Sequence, residues 1–302
     1  MSPSMLQPSS PQALAIHGLS VGMLWLSIAI FGLVAVLVFL ALWRSRQTPK
    51  DHQPEPIHGK TKLEILWVTV PLFIVLTLFV FTVRTMHSIE PSAEPGKPDI
   101  VVTGHQWWWE IEYPDKGILT ANELHIPVGR RLLLKLEAAD VIHSFWVPAL
   151  NRKMDLIPGR SNYLYLQADK PGVYPGVCAE FCGVQHAGMR VLVIAEPEAD
   201  YLAWEAKLAQ PVAAPAKGPA AEGFRIYSQR TCITCHSTEA GPDLKQLALR
   251  RTLASGLIEN NRENLIQWLM DPHRFKPGSL MPNLGLTYAE AAALSDYLRG
   301  AP

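Results

Sequence analysis

Two long stretches of this chain carry no charged residue, and they limit its possible folds more than any other feature. Residues 19–43 are apolar apart from two serines, and residues 65–83 contain no charge. Each stretch is long enough to cross about 30 Å of hydrocarbon as a helix. Because lipid offers no partners for backbone polar groups, we expect two membrane-spanning helices, at residues 19–43 and 65–86.

The charges around these stretches predict their orientation. The N-terminal tail, residues 1–18, has no Lys, Arg, Asp or Glu, whereas the loop at residues 44–64 carries five basic residues. The positive-inside rule then puts the loop in the cytoplasm and both termini outside. The first stretch also lacks the basic start of a signal peptide, so a retained helix is expected.

A different pattern begins at residue 99. Short apolar runs lie between turn signals, at residues 100–102, 124–126, 132–136, 163–166 and 191–194. The turn signals are Pro127, Gly129, Pro158-Gly159, Pro171-Gly172 and Pro175-Gly176. This spacing predicts an all-β sandwich, and a Greek-key, cupredoxin-like domain over residues 99–198 fits it.

One loop near the end of this region concentrates metal-binding side chains. Cys178, Cys182, His186 and Met189 lie within twelve residues. These soft and borderline ligands suit copper, and two thiolates can bridge two ions, so the loop predicts a binuclear copper centre. A second imidazole must come from elsewhere, and His143 is the candidate. A structural zinc site is the alternative, although zinc would give Met189 no purpose.

The C-terminal part carries a second cofactor motif. After a helix and an Ala/Pro linker at residues 199–221, Cys232, Cys235 and His236 form Cys-x-x-Cys-His, which attaches c-type haem. Residues 222–302 are therefore expected to form a cytochrome c domain. A Met as second axial ligand would raise the haem potential, and Met281 in an irregular segment is favoured over Met270, which falls in a predicted helix.

The four cysteines all fall in these two motifs. Two structural disulfides are the alternative, since an exported chain can form them. Each cysteine pair is accompanied by a histidine, which favours metal and haem sites. The chain has zero formal net charge and no basic run longer than two residues, so we do not expect it to bind nucleic acid.

The copper loop resembles that of subunit II of haem-copper cytochrome c oxidases. Residues 106–109, 140–148 and 153–160 also resemble that family, and the likeness extends over roughly residues 17–210. Residues 222–302 are similar to class I cytochromes c. The resemblance implies a multidomain chain: a transmembrane helix hairpin, an all-β cupredoxin-like sandwich and an all-α cytochrome c domain.

The resemblance also implies residue roles. In the family, two cysteines bridge the two ions of the dinuclear copper (CuA) centre, and each copper has one histidine ligand. A methionine and a backbone carbonyl complete the ligand set. The matching residues in this chain are His143, Cys178, Glu180, Cys182, His186 and Met189. The Glu180 side chain would also reach a magnesium site shared with subunit I. Trp107 matches an exposed aromatic through which electrons enter. Glu64 matches a residue at the start of a proton pathway, although Thr61 and Glu64 could equally form a capping box.

The function implied is that of subunit II in a respiratory oxidase of the bacterial plasma membrane. Electrons would come from an external donor, such as cytochrome c or an upstream complex, and pass through haem c and CuA to subunit I. Dioxygen reduction and proton pumping would occur there, with subunit III as a further partner. The copper and cytochrome domains would face the periplasm. A quinol-oxidase subunit II and a relative of nitrous oxide reductase remain alternatives.

Overall fold

A computed structural model describes residues 4–46, 59–90, 96–210, 215 and 217–300 of the chain. Most of the predicted cytoplasmic loop, at residues 47–58, lies outside the described residues, as do residues 211–214 and 216 of the predicted linker. The described chain divides into two compact units: residues 14–90, and residues 91–302 together with the first thirteen residues.

The N-terminal apolar stretches form two long helices, α1 (Pro11–Arg46) and α2 (Thr61–Ile89). Both are long and apolar enough to cross a membrane. Helix α1 begins inside the predicted tail, because Ser10 Oγ accepts a hydrogen bond from the Ala13 amide at 3.0 Å and Pro11 occupies the first helical position. Pro71 lies within α2, as membrane helices allow.

The capping box predicted at the start of α2 is wrong. Lys60 is the capping residue, in an extended conformation and without a side-chain hydrogen bond, and Thr61 is already helical. The Glu64 side chain instead turns back over Gly59, where a Cβ atom would lie 1.9 Å from Glu64 Oε1. An acidic group in this first turn is favourable beside the positive end of the helix dipole.

Ten strands form the β domain in two five-stranded sheets. One sheet has the order β3-β2-β1-β5-β8 and the other β4-β10-β9-β6-β7. The strands are β1 (Ile100–His105), β2 (Trp108–Tyr113), β3 (Ile118–Ala121), β4 (Glu123–Pro127), β5 (Leu132–Ala138), β6 (His143–Trp146), β7 (Met154–Leu156), β8 (Asn162–Leu166), β9 (Gly172–Cys178) and β10 (Arg190–Glu196).

The core of this domain lies between the two sheets. Alternate residues of each strand point inward, so Val102, Ile111 and Leu134 from one sheet and Ile126 and Val193 from the other are all fully buried. This two-sheet architecture is the cupredoxin-like sandwich expected from the short strands and their spacing.

The turn predicted at Pro175-Gly176 is wrong. Pro175 and Gly176 lie inside β9, opposite Leu192 and Val191 of β10. On its other side, β9 pairs with β6 through Val177 and Cys178, so the missing amide of Pro175 falls beyond that ladder. A Cβ at Gly176 would lie 2.7 Å from the Trp146 carbonyl oxygen, which explains a glycine inside a strand.

A short helix, α3 (Glu198–Leu208), follows β10 and leads to the cytochrome domain. That domain consists of α4 (Pro219–Gln229), α5 (Cys232–His236), α6 (Arg262–Met270), α7 (Pro272–Phe275) and α8 (Tyr288–Leu298), with a two-stranded ladder of β11 (Thr252–Leu253) and β12 (Ile258–Glu259). It has its own apolar core, which includes Ile226, Leu265, Ile266 and Leu294.

The first and last helices of the cytochrome domain pack closely. A Cβ at Gly223 of α4 would lie 2.0 Å from the Ala293 carbonyl oxygen of α8, so only glycine fits this crossing. A capping box begins α8: the side chains of Thr287 and Glu290 each accept a hydrogen bond from the other residue's backbone amide. Helices α4 and α8 therefore form a rigid base for the haem motif, which lies between them in the sequence.

Replacing Gly176 with Ala should destabilise the β domain by about 1–3 kcal/mol, because the new methyl group would overlap the Trp146 carbonyl and the Val191 side chain. Gly172 in the same strand is the matched control, since its Cβ would meet the Tyr174 ring at an ordinary 3.5 Å. Thermal unfolding followed by near-ultraviolet circular dichroism compares the two. Equal unfolding temperatures would contradict the packing argument.

Candidate copper and haem centres

Sheet pairing brings the two parts of the predicted copper site together. Phe145 of β6 lies opposite Cys178 of β9, which places His143 beside the start of the cysteine loop. The Ala179 amide donates to the Ser144 carbonyl at 2.9 Å, and the Cys178 amide donates to the Met189 carbonyl at 3.0 Å. The loop is thus closed at its base by backbone hydrogen bonds.

The predicted ligands converge inside this loop. The Sγ atoms of Cys178 and Cys182 are 3.8 Å apart, far longer than a disulfide of about 2.05 Å. His143 Nδ1 lies 4.0 Å from Cys178 Sγ, while His186 Nδ1 lies 3.8 Å from Cys182 Sγ. Met189 Sδ is 3.9 Å from Cys182 Sγ. Ligand atoms of His143, Cys178 and Cys182 all fall within 4.8 Å of one another.

The electrostatics of the cysteine pair fit a bound cation. A hydrogen bond from the Cys182 thiol lowers the pKa of Cys178, and the neighbouring thiolate raises the pKa of Cys182. Two thiolates at this distance repel each other unless a positive charge lies between them. A metal supplies that charge, and buried sulfur ligands of this kind suit copper.

His143 is oriented by a neighbouring carboxylate. Its Nε2 lies 2.8 Å from Asp140 Oδ1, so Nδ1 faces Cys178. Burial opposes the charged imidazole, but hydrogen bonds to Cys178 and Asp140 outweigh it and raise the pKa of His143. A carboxylate on the far nitrogen is the usual support of a metal-binding histidine. Asp140 is a supporting residue that the ligand motif alone did not reveal.

Glu180 and its neighbours lie on the outer side of the loop. The Glu180 carbonyl oxygen is 3.3 Å from Cys178 Sγ, close to the converging ligands. Phe181 and Val184 point outward, with 76% and 74% of their surfaces exposed. This part of the loop is therefore open to a partner, whereas the sulfur atoms are buried.

Trp107 lies between β1 and β2, directly against the copper loop. Its Nε1 donates to the Cys182 carbonyl at 3.0 Å, and a Cβ at Gly183 would lie 3.0 Å from its ring. The expectation of an exposed aromatic is wrong for this residue, which is 8% exposed. Its ring packs with the core of the β domain and against Gly183, and its carbonyl accepts hydrogen bonds from Ser255 and Lys276 of the cytochrome domain.

The haem motif borders a large cavity in the cytochrome domain. Cys232, Cys235 and His236 line it, and Trp107 and Trp108 contribute a wall from the β domain. His236 Nδ1 lies 2.8 Å from the Pro242 carbonyl oxygen, which leaves Nε2 free to bind iron. Burial lowers the pKa of His236, so the imidazole is neutral, as an iron ligand must be. These residues fit a covalently attached haem.

The two candidate methionines have different surroundings. Met281 lines the cavity, in the irregular segment that follows α7. Met270 is the last residue of α6 and does not line this cavity. Both methionines pack against the apolar core of the domain.

Family comparisons agree with this arrangement. The model of the cytochrome c oxidase subunit II transmembrane domain matches residues 2–85, that of its periplasmic domain matches residues 116–196, and that of cytochrome c matches residues 220–302. Cytochrome c oxidase subunit 2 of Alkalihalophilus pseudofirmus is 37% identical over 97% of this chain and 89% of its own length. This chain belongs to the cytochrome c oxidase subunit II family.

Other family members and relatives extend the comparison. Cytochrome c oxidase subunit 2 of Bacillus sp. strain PS3 is 33% identical over 85% of this chain and 79% of its own length. Quinol oxidase subunit 2 of Bacillus subtilis is 37% identical over 68% and 66%. The periplasmic domain of oxidase subunit II from Bradyrhizobium japonicum matches 37% of this chain and 95% of its own length, at 32% identity and a TM-score of 0.36.

Family membership makes the chain a membrane-anchored subunit of a haem-copper oxidase with a cytochrome c domain. The periplasmic-domain match implies copper, and the cytochrome c match implies haem c. The ligand sets described above fit both.

Replacing Met281 with Ala should abolish the visible absorption band that arises from charge transfer between a methionine ligand and ferric haem, because the cavity would lose its thioether ligand. Met270→Ala is the matched control and should keep the band, since Met270 packs against the same core but does not line the cavity. Absorption spectra of the oxidised chains decide the assignment. Loss of the band in the Met270 variant alone would show that it is wrong.

Proposed function

We propose that this subunit accepts electrons through its own haem c and delivers them through a binuclear copper centre to subunit I, where dioxygen reduction is coupled to proton pumping. Haem c and the copper pair, when bound, supply one-electron redox chemistry. The observation that carries the proposal is the position of Trp107, which lines the haem cavity and also hydrogen-bonds to the Cys182 carbonyl. One side chain thus joins the two candidate sites.

The copper ligands would come from a rigid part of the β domain. Cys178 and Cys182 would bridge both ions, and His143 and His186 would each bind one. Met189 and the Glu180 carbonyl would complete the set. The sulfur atoms and His143 are buried, and the loop is closed by backbone hydrogen bonds. A site held in this way changes little on electron transfer, which keeps the reorganisation energy low.

Residues of the cytochrome domain would hold haem at both faces. Cys232 and Cys235 would form the thioether bonds, and His236 and Met281 would bind the iron. The Pro242 carbonyl, 2.8 Å from His236 Nδ1, fixes the ring in one tautomer. A fixed axial ligand keeps the haem potential defined.

The contacts with the rest of the oxidase would be made by two regions. The exposed Phe181 and Val184 beside Glu180 provide an apolar surface suited to subunit I. The Glu180 carboxylate would help to hold a magnesium ion shared with that subunit. Glu64, in the first turn of α2, would lie at the start of a proton pathway into subunit I. Subunit III and an external donor, such as cytochrome c or an upstream complex, are further partners.

The proposed orientation follows from the charges beside the helices. Arg44 and Arg46 end α1, and the N-terminal tail carries no charge. The positive-inside rule therefore puts the connection between α1 and α2 in the cytoplasm. The copper and cytochrome domains would then lie on the periplasmic side of a bacterial plasma membrane.

Metal analysis and electron paramagnetic resonance of the purified full chain test the copper proposal. We expect two copper ions and one haem, with one unpaired electron shared between the coppers in the oxidised state. Cys182→Ser should lose the shared signal, because one bridging thiolate is gone, while the haem spectrum stays unchanged. Zinc, or a single copper ion with a localised spin, would contradict a binuclear centre.

The role of Trp107 is tested by its replacement with Phe. This change keeps an aromatic ring but removes the hydrogen bond to the Cys182 carbonyl, so electron transfer from haem to copper should slow severalfold. Trp108→Phe is the matched control, since Trp108 lines the same cavity but stacks on His105 instead. Rates after rapid photoreduction give the comparison. Equal slowing in both variants would exclude a specific route through Trp107.

A further inference from the structure

The cytochrome domain touches the β domain through a loop with an unusual backbone. Residues 250–256, here called the docking loop, include three consecutive left-handed residues: Ala254, Ser255 and Gly256 have φ values of 52°, 60° and 81°. Such a run is costly for residues with side chains and persists where surrounding contacts fix it. The contacts that do so here come from the other domain.

The first contact is a buried carboxylate. Glu123, at the start of β4, is 2% exposed. Its two oxygens accept hydrogen bonds from the amides of Arg251 at 2.8 Å and Thr252 at 2.7 Å, and from the Thr252 hydroxyl at 2.6 Å. All three donors belong to the docking loop. A buried charge needs such partners, so the carboxylate and the loop depend on each other.

The second contact lies at Trp107. Ser255 Oγ donates to the Trp107 carbonyl at 2.8 Å, and Lys276 Nζ donates to the same carbonyl at 2.6 Å and to Ser255 Oγ at 2.8 Å. Ser255 and Lys276 are 5% and 4% exposed. In addition, the Arg190 amide of β10 donates to the Ser255 carbonyl at 3.1 Å. The loop is thus held at both of its ends.

The two contacts differ in their hydrogen-bond partners. Lys276 is bound to neutral acceptors and has lost its hydration, and burial lowers its pKa to about 7. Its desolvation therefore offsets much of what its hydrogen bonds contribute. Glu123 receives three donors, two of which are backbone amides that would be left buried without partners. Burial also raises the pKa of Glu123, so both charged groups have lost hydration, and Glu123 is distinguished by its three donors in the docking loop.

We propose that Glu123, the docking loop and Lys276 form a lock that holds the cytochrome domain in one orientation on the β domain. Glu123 and Lys276 are then positioning residues, since neither is a candidate ligand of copper or haem. The consequence for electron transfer rests on the proposed function, because the lock would keep the haem cavity against Trp107. The domain would transfer electrons from a fixed pose rather than by diffusion at the end of its linker.

Amide hydrogen exchange of the full, cofactor-loaded chain tests the lock. In Glu123→Gln, the new side-chain NH₂ group would point at a backbone N–H, and two donors cannot form a hydrogen bond. We therefore expect the backbone amides of the docking loop to exchange at least about tenfold faster. Amides within α6 and α8 should be unchanged. Thr252→Val, which removes only the hydroxyl donor, should give a smaller change of the same sign. Glu259→Gln, at an exposed position of β12, is the matched control and should have no effect.

Two results would overturn the lock. The first is unchanged exchange of the docking loop in Glu123→Gln and Thr252→Val. The second is faster exchange throughout α6 and α8, which would assign Glu123 to the folding of the cytochrome domain rather than to its docking. Electron-transfer rates of the same variants separate this inference from the proposed function. A released loop with an unchanged rate from haem to copper would support the lock and contradict the route through Trp107.

Discussion

The pairing of β6 with β9 is the constraint on which the copper site depends. It puts Phe145 opposite Cys178 and so fixes the distance between His143 and the cysteine loop. The hydrogen bond from the Cys178 amide to the Met189 carbonyl then closes the loop on itself. The candidate ligands therefore lie on two paired strands and on a loop that backbone hydrogen bonds close at its base.

Burial at the same place determines the chemistry of the ligands. Asp140 orients His143 from outside, while Cys178 and Cys182 are shielded from water. Two close, buried sulfur atoms favour a shared proton in the absence of metal, and a cation removes that proton. The site thus has its geometry from the sheet and its affinity for metal from electrostatics.

The cytochrome domain extends this arrangement across a second interface. A tether alone would raise the effective concentration of one domain near the other without selecting an orientation. Buried polar contacts at Glu123 and at the Trp107 carbonyl do select one, because they are directional and have no water as an alternative partner. The haem cavity consequently has a wall made by Trp107 and Trp108.

The cysteine loop, the two apolar helices and the haem motif could be recognised in the sequence because each depends on residues close along the chain. The capping box of Thr287 and Glu290 at the start of α8 is local in the same way, since its two residues lie three apart in the sequence. Pro175 and Gly176 were not, since their place inside β9 depends on where β6 ends and on the Trp146 carbonyl. The hydrogen bond from Lys276 to the Trp107 carbonyl likewise depends on a domain more than a hundred residues away.

The sequence by itself determined the two apolar segments, the sulfur and imidazole donors, and the attachment motif for haem. Hydrophobicity, ligand softness and short spacing are properties that the chain carries whether or not it is folded. Only the tertiary structure decided that Asp140 supports His143, that Trp107 borders both candidate sites, and that Glu123 binds the docking loop. These features depend on backbone groups and on burial, which the amino-acid sequence does not reveal.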